Sequence, residues 1–227
     1  GPDYDYYDTP EVVALWRKSQ PPQAPLLDRV LVYYPGWTGF SDPRYLKEER
    51  DYKVKASELA ISLLGREALR TLIDEGRHGE LVERMEKVAH ATNLLWTNVP
   101  RDGDLAVLYR QGLDLPSFAN ALFELLHGEG ESPARFDRFV DYTARQNLPT
   151  KWAMPTYLLM LLSPETDFFV KPEMTRWFLK EVSTDVELPT KPSGEAYRRL
   201  LEVVTKLSDD LVSFEPSDLI DIQGYIW

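Results

Sequence analysis

The sequence predicts a mostly α-helical domain of about nine or ten helices, and three observations carry that expectation. Apolar residues recur at three- and four-residue intervals, as in Tyr45, Tyr52, Ala56, Leu59, Ala60 and Leu63, which puts them on one helical face. Proline recurs where a first helical turn would begin, at Pro10, Pro43, Pro116, Pro133 and Pro172, a position where its missing N–H costs nothing. Only Arg29–Tyr34 (RVLVYY) has the β-branched and aromatic character of a strand. It has no comparable partner, so a minor β element near residues 29–34 is the most sheet expected.

The elements follow in order. Asp3–Asp8 (DYDYYD) alternates acid with tyrosine and reads as loose. Thr9-Pro10-Glu11 reads as a helix start, with Val12, Val13 and Trp16 on one face. Gln20–Pro25 (QPPQAP) reads as a proline-rich linker that cannot be helical. Residues 1–25 are therefore expected to be an arm and linker, with Gly1-Pro2 resembling the remnant of a removed tag, and residues 26–227 a single helical domain. The chain stops at Ile226-Trp227 inside an apolar phrase, as expected of a piece cut from a longer protein.

Asp42-Pro43 opens a long helix to Leu64, whose charged outer face would carry Lys47, Glu48, Arg50, Asp51, Lys53, Lys55 and Glu58. Gly65 ends it. Shorter helices are expected over Arg66–Glu75, Glu80–Ala91 and Asp104–Gln111, with an apolar connector at Asn93–Pro100. Pro116–His127 and Ser132–Gln146 follow as helices. Trp152–Val182 is the most apolar stretch and reads as a buried helical hairpin with a kinked connector at Phe168-Phe169-Val170. The last long helix starts at Lys191-Pro192-Ser193, with Tyr197, Leu200, Leu201, Val204, Leu207 and Leu211 as its core stripe, and Pro216-Ser217-Asp218 caps a final helix.

Charge and composition exclude several chemistries. The net charge of −11, from 37 acidic and 26 basic residues, disfavours general coating of nucleic acid but leaves room for a local basic patch. With no cysteine, disulfides, thiolate metal sites and cysteine nucleophiles are excluded, and a reducing, cytoplasmic setting fits. No apolar run approaches the roughly 18 residues of a membrane-spanning helix. Phosphate-cradling glycine motifs and a G-x-S-x-G elbow are absent.

Glu75–His78 and Glu124–His127 match the Glu-x-x-His spacing of carboxylate di-metal bundles. Gly76 breaks the first pair, and both histidines are expected at helix ends, where His⁺ commonly sits. Asp209-Asp210 and Asp218 with Asp221 read as solvated or capping carboxylates. A carboxylate metalloenzyme is thus the weakest reading. No cofactor, metal or catalytic residue is expected.

The unusual cations lie on the apolar hairpin, where Lys151, Lys171, Arg176 and Lys180 are interleaved with Trp152, Phe168, Phe169 and Trp177. Lys151, Trp152, Lys171, Arg176 and Trp177 are the candidate binding residues. Cations beside exposed aromatics stack a base and neutralise phosphate. Alternatively the aromatics are core and the cations reach past them to solvent, which is the favoured reading. A second aromatic loop, Tyr33–Trp37, reads either as a partner-binding tip or as local packing.

The segment KWAMPTYLLMLLSPETDFFVKPEMTRWF, the tyrosine-started helix after it and PSDLIDIQGYIW resemble a helical module of bacterial McrB-like AAA+ ATPases of the restriction and phage-defence type. The phrases YYPGWTGF, EERDYKVKASEL and TNLLW are similar to the same module, so the likeness covers roughly residues 30–227. The resemblance implies a non-enzymatic accessory or recognition region beside a motor or nuclease. The family's P-loop is not among these residues, so ATP hydrolysis is not carried over to them. The expectation is a non-catalytic module that binds a protein partner or self-associates, with nucleic-acid recognition through the hairpin rim as the alternative and no membrane involved.

Overall fold

The computed structural model describes residues 24–182 and 184–227, and the expected Thr9–Pro10 helix start with Val12, Val13 and Trp16 lies outside them. The described residues form an all-helical fold in which no β-strand occurs. None of its helices is long and apolar enough to cross a membrane.

The expected strand at Arg29–Tyr34 is corrected: it lies in helix α1, Ala24–Tyr33. Leu26 and Val30, one turn apart, are its buried residues, and burial of that stripe outweighs the β preference of the valines and tyrosines. The linker reading is corrected at its end too. Ala24 and Pro25 form the first turn of α1, where proline is tolerated.

Helix α2 begins with Pro43–Tyr45, passes through a π-helical turn at Leu46–Arg50 and continues through Asp51–Leu64. Asp42 caps it, its Oδ1 accepting the Arg44 amide at 2.9 Å. The π turn places one extra residue in the helix and shifts the phase of everything after it. Lys53, expected on the solvated face, is 0% exposed, because it lies three residues before Ala56 and seven before Ala60 and so shares their buried face.

Burial lowers the Lys53 ammonium to about 8, against a partial counter-effect from Glu49, whose Oε2 lies 3.4 Å from Nζ. A lysine depressed on folding binds fewer protons in the folded than in the unfolded state. Its charged form therefore opposes folding below pH 8, and stability is regained as pH rises from about 8 toward the unfolded value near 10.5. Lys53→Met is expected to stabilise the protein at pH 7 by about 1–3 kcal/mol and to flatten that rise. Urea titrations at pH 7 and 10 check it, and a destabilised variant at pH 7 would refute it.

The remaining helices are α3 (Arg66–Asp74), α4 (His78–Ala89), α5 (Leu115–His127), α6 (Ser132–Arg145), α7 (Ala153–Leu162), α8 (Pro172–Glu181), α9 (Gly194–Asp210) and α10 (Leu219–Ile226). The short helix expected at Asp104–Gln111 is instead a 3-10 turn, Ala106–Tyr109. Ser193 caps α9 as the sequence signals, and Asp114, not singled out there, caps α5. Asp114 accepts the Ser117 amide at 3.1 Å, and Ser193 accepts the Ala196 amide at 3.2 Å.

α7 is the axis. Every residue from Ala153 to Leu161 is buried, which a short helix achieves only when neighbours cover it all round. α2 and α5 pack on it, α6 packs on α5, and α9 on α6. The connector Phe168-Phe169-Val170 is buried to 1% or less and runs back along α7, the Val170 amide donating to Thr156 Oγ1 at 3.0 Å.

α10 closes the fold. All eight of its residues are buried, although they include Asp221 and Gln223. Tyr45 donates its hydroxyl to Asp221 O at 2.8 Å, and Tyr225 packs against Trp37 and Phe40 with ring centroids 5.9 Å apart in each case. Gly224 is required there, because a Cβ would lie 2.5 Å from the Tyr45 hydroxyl. The sequence reading of Tyr33–Trp37 as local packing holds for Tyr34 and Trp37, which are 8% and 4% exposed.

Candidate functional site

Trp152 offers no free face. It is buried, stacks on Phe136 at 5.4 Å, and donates Nε1–H to Pro189 O at 3.0 Å. Arg176 is held through Nε to Leu188 O at 3.2 Å. Trp177 is half-buried, and the Arg29 guanidinium from α1 covers its ring at 4.8 Å. The hairpin aromatics are thus core or covered, and a continuous basic–aromatic rim is not formed by them.

Lys151 and Lys171 are brought together on one loop. Lys151 Nζ donates to Gly103 O at 2.8 Å and also to Asp102 O. Lys171 Nζ donates to Leu94 O at 3.0 Å and pairs with Asp104 Oδ2 at 3.2 Å. Both cations therefore fasten residues 94–104, which include most of the segment read from sequence as an apolar connector, Asn93–Pro100.

The loop is closed on itself as well. Asp104 Oδ2 accepts the Trp96 amide at 2.7 Å, and Trp96 O accepts the Asp104 amide at 2.8 Å. Val99 O accepts the Gly103 amide at 2.6 Å. A Cβ at Gly103 would lie 2.5 Å from Trp96 O and 2.7 Å from Val99 O, so only glycine permits the closure. Leu94, Leu95 and Leu105 anchor the loop in the core.

What this loop keeps outside is apolar and cationic. Trp96 is 48% exposed, Val99 38% and, just beyond, Tyr109 37%. The Tyr109 hydroxyl donates to Glu86 at 2.5 Å, and this hydrogen bond, with burial second, raises it to about 12. Arg101 and Arg110 are both exposed and, with Gln111 and Pro149, border a groove of about 490 Å3. Sequence reasoning missed this site. The signal was Trp96 itself, a large aromatic outside any helical period, but its exposure depends on an ion pair from Asp104 to Lys171, 67 positions away.

The metal reading finds no assembly. His127 closes α5, its Nε2 donating to Leu64 O at 2.7 Å, and burial lowers its pKa. His78 opens α4 rather than closing a helix, which corrects the expected position. Asp218 and Asp221 are bridged by Arg50. Among the described residues no group of three or more His, Cys, Asp or Glu could hold a metal ion.

Comparisons with protein-family models, curated proteins and solved structures return no match.

Proposed function

We propose that this protein is a non-catalytic interaction module of a cytoplasmic prokaryotic defence or restriction-type system, of the kind found beside McrB-like ATPases, and that it docks a protein partner through the fastened 94–104 loop. The observation that carries this reading is the presentation of Trp96 and Val99 on a loop locked by two lysines, with Tyr109 exposed just beyond it. Tryptophan, tyrosine and arginine dominate the energetics of protein interfaces, and a loop that is already ordered loses little entropy on docking.

Trp96→Ala is expected to leave stability within about 0.5 kcal/mol, because the side chain is half outside, and to abolish docking. A photo-crosslinking residue at position 96 of the protein in its native cells should give discrete adducts that the same residue at exposed Ile61 does not. Identical patterns at the two positions would refute the loop's role. Intrinsic hydrolase or nuclease activity in the purified protein would refute the non-catalytic reading.

Arg101 and Arg110 favour a second reading, nucleic-acid recognition, now moved from the hairpin to the groove beside Tyr109. Salt-titrated binding to single- and double-stranded DNA and RNA tests it. On this reading the Arg101→Glu/Arg110→Glu double variant loses binding that the parent shows at low salt.

A further inference from the structure

A different cavity, sharing no lining residue with the Trp96 groove, lies where α1, the π turn of α2 and α10 meet. Its volume is about 170 Å3. Aromatic rings make most of the wall: Tyr33, Tyr34, Tyr45, Tyr225 and Trp227. They grade from solvent inward, since Tyr33 is 68% exposed while Tyr45 and Tyr225 are each 1% exposed. The π turn adds two carboxylates, Glu48 and Glu49.

We propose that this cavity binds a small organic ammonium ion. The faces of aromatic rings carry negative potential and attract cations, most strongly where water is excluded, and rings gathered around a carboxylate are the usual means of holding an alkylated ammonium. Glu48 engages the Tyr34 hydroxyl through Oε2 at 3.1 Å, and its other oxygen has no hydrogen-bond partner among the described residues. Among the described residues Glu49 pairs with Lys53 alone, at 3.4 Å.

Arg29 also lines the wall and sets one positive charge against the two carboxylates. Its guanidinium donates to Trp227 O at 2.8 Å and lies 4.8 Å over the Trp177 ring. A separate observation concerns Tyr225. Its hydroxyl is buried without a hydrogen-bond partner among the described residues, on a side chain that lines the cavity. A buried hydroxyl in that state is costly for the fold alone. The volume accommodates a head group of trimethylammonium size.

Calorimetric titration of the protein with tetramethylammonium and choline, against the uncharged choline isostere 3,3-dimethylbutanol at matched ionic strength, tests the proposal. Saturable binding of the cations, with the neutral isostere weaker by about tenfold or more, is the expected result. Tyr33→Ala and Glu48→Gln alter exposed side chains and should preserve the fold while each weakens cation binding about five- to tenfold. Tyr225→Phe gives a third readout inside the cavity. A peptide carrying N-trimethyllysine binding tighter than choline identifies the cation as one displayed on a protein, and the reverse order identifies a free small molecule. Equal binding of the neutral isostere, absence of saturation with every cation, or binding indifferent to both Tyr33→Ala and Glu48→Gln overturns the proposal. None of these outcomes depends on the Trp96 loop.

Discussion

Arg50→Ala is expected to lower the unfolding free energy by about 3–5 kcal/mol, the cost of leaving a buried charge uncompensated. Arg50 ends the π turn and holds α10 against α2. Its guanidinium meets Asp218 through two bonds of 2.8 Å and Asp221 at 3.0 Å. Asp221 is 1% exposed, and burial is the main influence raising its pKa, opposed by the Ser217 amide, 2.7 Å from Oδ2, and by Arg50.

Without Arg50 that carboxyl holds its proton to still higher pH. A carboxyl whose folded pKa is raised binds more protons folded than unfolded, so stability falls as pH rises from the unfolded pKa through the folded one. The loss in Arg50→Ala should therefore be smallest near pH 4 and full at neutral pH. Denaturant titrations at several pH values measure this. A loss under about 1 kcal/mol at pH 7 would show that the Arg50 bridge is not what secures α10.

Phe169→Ala is expected to cost about 3–5 kcal/mol, the sum of lost transfer free energy and a cavity that rigid neighbours do not fill. The ring is 0% exposed. It stands edge-on to Tyr157 with centroids 5.7 Å apart and at the same distance from Trp227. The backbone there is tied down too, through the Val170 amide to Thr156 and the Phe168 amide to the Tyr197 hydroxyl, 3.1 Å. Because the connector cannot collapse into the void, the upper part of the range applies. A thermal or urea midpoint consistent with a loss under about 2 kcal/mol would mean that the segment relaxes, contrary to this account.

The helices and the burial of α7 and the Phe168–Val170 connector were legible because they rest on local pattern, whereas the pairing of α7 with α8 as a hairpin is corrected: α7 packs on α2 and α5 instead. Ala56 and Ala60, Phe118 and Leu122, and Tyr197 and Leu200 recur at helical spacing, and all are buried. Three further features were not legible, each for its own physical reason. α1 resembled a strand because Val30, Leu31, Val32, Tyr33 and Tyr34 favour extended backbone in isolation, while the choice was made by what Leu26 and Val30 pack against. Lys53 was misplaced because its charge was weighed above its spacing, three residues before Ala56 and seven before Ala60, which puts it on their buried face. The Trp96 loop was missed because its shape is set by Lys151 and Lys171 from across the fold. Lys171 was singled out as unusual from sequence and Lys151 as a candidate binding residue, with the favoured reading that both reach past the aromatics to solvent. Instead both are held by the chain's own carbonyls, and Lys171 by Asp104 as well.

The burial of α10 has a consequence for synthesis. A ribosome delivers residues 219–226 after every other helix described above. Until then Trp37, Phe40 and Tyr45, later less than 5% exposed, face an open socket. The bonds that close it span the chain, 176 residues from Tyr45 to Asp221 and 198 from Arg29 to Trp227. Pairings of that range form late, because loop entropy must be overcome first. A nascent chain therefore carries a sticky aromatic mouth while residues 46–218 are made, and the surroundings that shield that mouth from other chains bear on the yield of folded protein.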